Sequence, residues 1–396
     1  MAAQQRTIGQ RSRDAHDSPF VRGCGTQRRL PLRMRAAVWD GTRISVVDDV
    51  TVREPGRGEV QVEVQASGIC HSDLNVIDGA SPRGVPIVLG HEAAGVVGAI
   101  GVGVEGVSIG DAVIVGSVAP CRTCRACRDQ RFTDCVSAFS GGTTPFEWNG
   151  RAVGQYANIS SFASRITVRA TQVVPAAGLV ATQAALIGCA VSTGYGVVRN
   201  VARVRAGDRV AVFGIGGIGV NVLQTCRLQR ASRIIALDTD PRREGFAFRF
   251  GATDFVAVPR GADRARVAEL VHAIEPHGVD AAFECSGAPS AIEAAIEVLD
   301  HGGVAALVGM PPLGARSSFD VGALFRGRRI VGSLNGAQNP DRDLADIVAL
   351  ARAGALDLAA QVTHVWPLDE IDDAIAAVRR GDVVRAVLDH SLGGGQ

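Results

Sequence analysis

Lysine is absent from this chain: all 41 basic residues are arginine. Any side-chain contact to a phosphate must therefore come from Arg or His, with backbone N–H groups as the other donors. Nor is there an excess of charge of one sign, since 40 acids leave a net charge of +1. That balance gives no electrostatic footprint for nucleic acid or for an anionic membrane surface. Aromatic residues are scarce at 5%, so the core must pack largely with Val, Ala, Ile and Leu. Long apolar runs are missing too. The longest uncharged stretch, Ala170 to Val198, is interrupted by Pro175, several glycines, Thr182, Gln183, Ser192 and Thr193. A membrane span would be more uniformly apolar. A secretory signal is not visible either, because Arg6, Arg11, Arg13, Arg22, Arg28 and Arg29 are followed by no apolar segment.

What the chain does have is length, glycine and cysteine. Its 396 residues suit two or three domains. Hydrophobic residues at 46% and charged residues at 20% are the usage of a globular protein. The 48 glycines imply many tight turns. Nine cysteines stand at 24, 70, 121, 124, 127, 135, 189, 226 and 285. A disulfide scaffold would be short and secreted, so these residues read as metal ligands in a reducing cytoplasm.

Residues 1–33 are polar and Arg-rich without a period, and read as a disordered leader or as an upstream start assigned too early. From Met34 to about 190 the pattern is short β-like runs separated by Gly turns, such as 60–64, 95–100 and 112–115. After that the rhythm changes, and residues 191–333 form a second domain. Continuous apolar strands at 209–213, 233–238, 255–258, 279–283 and 304–308 alternate with helix-length segments. Such alternation means βαβ units and a parallel sheet. Residues 334–396 hold a helix near 341–353, an extended stretch at 362–367, a helix at 369–380 and a strand at 383–389. These are too few for a domain of their own and are expected to return to the first one.

Gly214-Ile215-Gly216-Gly217-Ile218-Gly219 fits G-x-G-x-x-G between a buried strand and a helix. The glycines permit the tight turn, the approach of a pyrophosphate and close helix–strand packing, while the helix N-terminus offers free N–H groups. Asp238, 19 residues after Gly219, ends the next strand and would accept hydrogen bonds from ribose hydroxyls. An acid there repels a 2′-phosphate and favours NAD over NADP. Arg242 and Arg243 lie close enough to blur that preference, and Arg243 is assigned to the cofactor site. The alternative is a Gly-rich βα turn and a solvated helix N-terminus.

Cys121-x-x-Cys124-x-x-Cys127-x7-Cys135 supplies four thiolates, which close a tetrahedral zinc site and leave no position for catalysis. An iron–sulfur cluster also takes four Cys, but ferredoxin-type runs differ in spacing and usually add Pro. Disulfides between neighbours this close would be strained. The site reads as a structural clip on a polar lobe. Three further candidates, Cys70, His91 and Cys189, are far apart in sequence. Singly each has an ordinary reading, as a small buried thiol or a core or surface histidine.

Together, Gly68-Ile69-Cys70-His71-Ser72-Asp73, Gly90-His91-Glu92, Gly188-Cys189, the four-Cys loop and the glycine motif resemble the zinc-dependent medium-chain alcohol dehydrogenases. The similarity runs in order over residues 34–390. It implies an α/β chain with a GroES-like β-rich catalytic domain and a Rossmann doubly wound parallel sheet. It further implies a catalytic zinc on Cys70, His91 and Cys189 with an open fourth position, hence two zinc ions per chain, with NAD as hydride acceptor. Cys189, where polyol-type relatives carry Glu, marks the alcohol branch. By the same resemblance Ser72 takes the alcohol proton, and Asp73 and Glu92 lie behind the metal. His71 and Arg385 would contact the pyrophosphate, and Thr193 and Met310 would flank the nicotinamide. Ser117 and Val118 would line a roomy alcohol pocket. Asn75 stands where many relatives place a relay His, so the proton leaves through water or another residue. Cys24, Cys226 and Cys285 match no role.

The expected activity is interconversion of alcohols with aldehydes or ketones. The alternatives are a thiol-adduct formaldehyde dehydrogenase, an aromatic-alcohol specialist and a catalytically silent homologue. The long segment between Cys135 and Cys189 suggests a homodimer, with a homotetramer as the other choice. Nucleic acid and membrane are not expected partners.

Overall fold

The computed structural model describes residues 32–139 and 144–392. Most of the expected leader and Cys24 therefore lie outside the described residues. The first strand begins at Leu32, two residues before Met34, because Leu32 and Arg33 already pair with Val52 and Thr51 of the strand that follows.

Ten strands come from the first half of the chain: β1 (Leu32–Trp39), β2 (Ile44–Val52), β3 (Glu59–Ile69), β4 (Ile87–Val88), β5 (Glu92–Ile100), β6 (Ala112–Val115), β7 (Phe146–Trp148), β8 (Arg151–Gln155), β9 (Arg165–Arg169) and β10 (Val173–Pro175). The helices among and after them are α1 (His71–Ile77), α2 (Arg125–Arg128), α3 (Ala181–Ala184) and α4 (Ala190–Gly196). Strands β1, β2, β7, β8 and β4 close a small barrel. The rest belong to a largely antiparallel sheet around β3, with Val, Ile, Leu and Ala dominating the buried core, as the aromatic shortage requires.

Next come β11 (Arg209–Phe213), α5 (Gly219–Leu228), β12 (Arg233–Asp238), α6 (Glu244–Phe250), β13 (Asp254–Ala257), α7 (Arg264–His272), β14 (Val279–Glu284), α8 (Pro289–Glu297), β15 (Leu299–Leu307) and β16 (Arg329–Gly332). Their sheet is parallel throughout, in the order β13-β12-β11-β14-β15-β16. This is a doubly wound order whose direction reverses between β11 and β14, where ligands bind such sheets. Both faces of the central strands are covered, so β11 and β12 are continuous apolar runs.

The chain then passes through α9 (Asp343–Arg352), β17 (Val362–Pro367), α10 (Ile371–Arg380) and β18 (Arg385–Asp389). Strand β18 pairs antiparallel with β3, and α9 buries Leu344, Ile347 and Val348 against Ala66, Ala94 and Ile114. The last segment thus returns to the sheet of the first half. Among the described residues no single helix is long and apolar enough to cross a membrane; the bent pair Ala181–Gly188 and Ala190–Ala202 is core, with Leu186, Ile187, Val191 and Tyr195 at 1% exposure or less.

Candidate functional site

Strand β3 ends at Ile69 and the chain turns into α1, so Cys70 sits at the N-cap of that helix. His91 directly precedes β5. Cys189 lies at a bend between a short 3₁₀ turn and α4. Three distant segments therefore meet. Ligand atoms of Cys70, His91, Glu92 and Cys189 all lie within 4.8 Å of one another. Two sulfurs and an imidazole are a zinc donor set, and three such ligands leave a position open.

Surrounding groups fix these side chains. Asp73 is fully buried; its Oδ1 accepts from Gly90 N at 3.0 Å and faces His91 Nδ1 at 3.1 Å, while Oδ2 accepts from Cys70 N at 3.0 Å. With Nδ1 turned to Asp73, His91 presents Nε2 to the cluster, 3.2 Å from Ser72 Oγ. Burial opposes a charged ring, but the Asp73 carboxylate and the Cys189 sulfur together outweigh it and hold the His91 pKa well above the usual value. The Cys70 thiol is held well below its usual range, first by a hydrogen bond from Cys189, whose own thiol is pushed up in return. Buried sulfurs forced to share protons in this way are groups whose charge a dication neutralises.

Glu92 closes the back of the cluster. Its carboxylate is fully buried, is pushed up to about 7 by that burial, and pairs with the Arg385 guanidinium. It also accepts from Ala190 N at 3.3 Å. Arg385 begins β18 and lies against Gly217, where a Cβ would come 2.5 Å from Nη1. One side chain thus joins the metal-ligand cluster to the Gly-rich turn.

That turn is built as the motif requires. Gly214 has φ +87°, and a Cβ on Gly219 would lie 2.0 Å from the Gly214 carbonyl oxygen. A Cβ on Gly216 would meet nothing within 4 Å, so this side of the turn is open to a phosphate group. Ile218 caps α5. The Asp238 carboxylate accepts from Ile215 N at 2.7 Å and Asp240 N at 2.9 Å, which sets it at the mouth of the turn. Thr193 is buried on α4, with its N–H on Cys189 O at 2.8 Å. Met310 is 60% exposed, and its backbone carbonyl faces Gly287 beside the turn.

The basic residues expected near the cofactor lie as follows. The Arg243 guanidinium donates to Gly381 O at 2.7 Å and to Val383 O at 3.4 Å, so it ties α6 to the approach of β18. His71 is exposed at the start of α1. Arg242 pairs with Asp240 at 2.8 Å, not with Asp238.

The four cysteines of the loop also converge, with all four sulfurs within 4.8 Å of one another. Zn–S bonds of about 2.3 Å place tetrahedral sulfurs about 3.8 Å apart, and Cys121 and Cys127 are 4.0 Å apart. Sulfur acceptors take N–H groups of Cys121, Cys124 and Ser137, and the Thr123 hydroxyl is the main cause lowering Cys121 to about 5. Arg122 links the loop to Asp341 beyond β16 and stacks on Phe132. All eight described cysteines are free of disulfides. Cys226 is buried in the core of the parallel sheet, with Cys285 packed beside it.

Sequence reasoning missed Tyr156. Its ring meets His91 edge-on at 5.5 Å, and its hydroxyl donates to Ser72 O at 3.1 Å. No motif surrounds it; the only signal is that the chain has just two tyrosines. It missed also the hydrogen bond from Asn335 to Ser117.

Comparison with known proteins agrees with this geometry. Residues 56–178 match the family model of the alcohol dehydrogenase GroES-like domain, and residues 217–353 that of the zinc-binding dehydrogenases. The chain is 38% identical over 373 residues, covering 90% of it and 100% of the relative, to S-(hydroxymethyl)glutathione dehydrogenase of Escherichia coli O139:H28. Among solved structures it resembles an alcohol dehydrogenase zinc-binding domain protein from Burkholderia ambifaria, with TM-score 0.84 and 31% identity over 90% of this chain and 99% of that one. It also resembles benzyl alcohol dehydrogenase from Acinetobacter calcoaceticus, with TM-score 0.83 and 28% identity over the same shares.

Proposed function

Since the chain belongs to the zinc-dependent medium-chain alcohol dehydrogenases, we propose that it oxidises an alcohol to an aldehyde or ketone with NAD, at the centre formed by Cys70, His91 and Cys189. The observation that carries this reading is the convergence of those three side chains beside the Arg385 bridge to the Gly-rich turn. Zinc and a nicotinamide dinucleotide are the cofactors of the family. When bound, the first supplies a Lewis acid that acidifies the alcohol hydroxyl and the second a hydride acceptor.

The chain's own groups do the rest. Asp73 keeps the proton of His91 on Nδ1, so that Nε2 is free as a ligand atom. Ser72 Oγ, beside His91 Nε2, accepts the alcohol proton as its own hydroxyl proton moves on. Asn75 cannot titrate, so from there the proton passes to water. Arg385 offers the positive charge that a lysine-free chain needs near a pyrophosphate. The four-Cys loop, with no open position, holds a second zinc as a structural clip.

NAD is preferred over NADP because Asp238 places an acid at the mouth of the turn, while Arg242 and Arg243 are spent on Asp240 and on backbone carbonyls. A homodimer in the cytoplasm is the assembly and location we infer. The relatives named S-(hydroxymethyl)glutathione dehydrogenase favour a second reading, in which the alcohol is a thiol–formaldehyde adduct.

Formation of reduced nicotinamide, followed across primary, secondary and aromatic alcohols with NAD and with NADP, tests the proposal. A further arm supplies formaldehyde with and without glutathione. Turnover of simple alcohols with NAD supports the first reading, and turnover only with glutathione supports the second. No turnover in any arm by zinc-loaded protein contradicts both.

A further inference from the structure

Ser117 follows β6 by two residues and is 2% exposed. Beyond the last β5–β6 pair, Ala93 opposite Val115, the chain leaves the ladder and Ser117 turns to the segment that carries Cys189. Its N–H and its hydroxyl both donate to Gly188 O, at 3.0 and 2.9 Å, and Gly188 adjoins Cys189. Ser117 is therefore tied to the residue that precedes Cys189, a member of the metal-ligand cluster.

The group that reaches Ser117 comes from the other half of the molecule. Asn335 lies in the turn after β16, and its Nδ2 donates to Ser117 Oγ at 2.7 Å. Asn335 has φ +50°, a left-handed conformation that Asn tolerates better than most residues. The turn cannot draw back, because Gly336 is pressed on α4: a Cβ there would lie 2.4 Å from Thr193 O. The amide is thus fixed against Ser117, one hydrogen bond away from the Gly188–Cys189 segment, and half-buried. Its remaining N–H and its carbonyl oxygen have no hydrogen-bond partner among the described residues.

A hydrocarbon chain laid against this amide would desolvate two polar atoms and return nothing. A substrate with its own polar group would satisfy them, and a site that hydrogen-bonds such a group discriminates strongly against the analogue lacking it. We propose that Asn335, anchored by Ser117, is a specificity-determining residue that selects alcohols carrying a second hydroxyl or carbonyl oxygen remote from the reacting hydroxyl. This rests on the reading above that the Cys70–His91–Cys189 centre is where the alcohol reacts.

The test uses the full, zinc-loaded chain with NAD and compares kcat/KM for 1,5-pentanediol and 1-pentanol. The wild type should favour the diol by roughly tenfold, about the size of one hydrogen bond. Asn335→Gly keeps the left-handed backbone and removes the amide, and Ser117→Ala removes its anchor. In both, the ratio should fall to about two, the statistical factor for two equivalent hydroxyls, chiefly through a higher KM for the diol. Zinc content and thermal melting establish that each variant is folded, and either variant alone decides the matter. Turnover of both alcohols by the wild type without preference, or a preference that survives Asn335→Gly, overturns the inference and leaves the parent reading standing. No turnover of any alcohol defeats the parent reading itself.

Discussion

Both oxygens of Asp73 are committed to the segments of Cys70 and His91, two of the residues proposed to hold zinc. Asp73→Asn keeps the shape and loses the charge that fixes the His91 tautomer. The expected outcome is a 10- to 100-fold weaker hold on zinc, roughly what loss of such a partner costs, measured by chelator competition. Ser72→Ala should lower kcat by about 10²- to 10⁴-fold, the usual range for a positioned proton-transfer group, with zinc content unchanged; steady-state kinetics and metal analysis check it. Asp238→Ser should reduce kcat/KM for NAD by about tenfold or more, since a charged acceptor of ribose hydroxyls is lost, and narrow its gap to NADP.

Among elements, the βα unit at 209–228 is the most sensitive. Gly219→Ala would drive a methyl group into the Gly214 carbonyl, 2.0 Å away, so the turn must open or α5 must shift. Dinucleotide binding, followed by nicotinamide fluorescence, should be lost while the zinc centres stay loaded. This unit was also the most legible in sequence. Strands β11 and β12 fall on the expected residues because they are buried on both faces and read as unbroken apolar runs. The barrel was not legible at that level. Strands β4, β7 and β8 have two, three and five residues, too short for an alternation to register, and closure depends on partners far along the chain. The same holds for the sites. Cys70, His91 and Cys189 were picked out by the motifs around them, whereas Tyr156 and the Ser117–Asn335 contact arise only from folding, the latter joining residues 218 positions apart. The backbone carbonyls that Arg243 bonds, Gly381 and Val383, were likewise not legible, since they lie some 140 positions away.

At the scale of the whole molecule, the return of the C-terminus makes the site possible. Strand β18 supplies Arg385 and, just beyond its end, His390. His390 Nε2 lies 3.0 Å from Ser67 Oγ, whose proton goes to Ser161 O. Burial lowers the His390 pKa from 6.5 to about 4, with Arg35 adding to the effect and Asp389 opposing it. Below pH 6.5 the unfolded chain takes up a proton that the folded chain refuses. Stability should therefore fall as the pH drops from about 6.5 to about 4, by at most about 3 kcal/mol from this residue. Denaturant unfolding of wild type and His390→Gln across that range checks it, since the variant should lose this part of the slope.

The proposed chemistry centres on a metal held by three residues far apart in the chain, Cys70, His91 and Cys189. Zinc per chain, measured on the purified wild type and on Cys70→Ser and Cys124→Ser variants, tests it most directly. Two zinc ions in the wild type are predicted, with one lost in each variant and alcohol oxidation abolished in Cys70→Ser. A single zinc in the wild type that persists in Cys70→Ser would contradict a zinc centre at Cys70, His91 and Cys189.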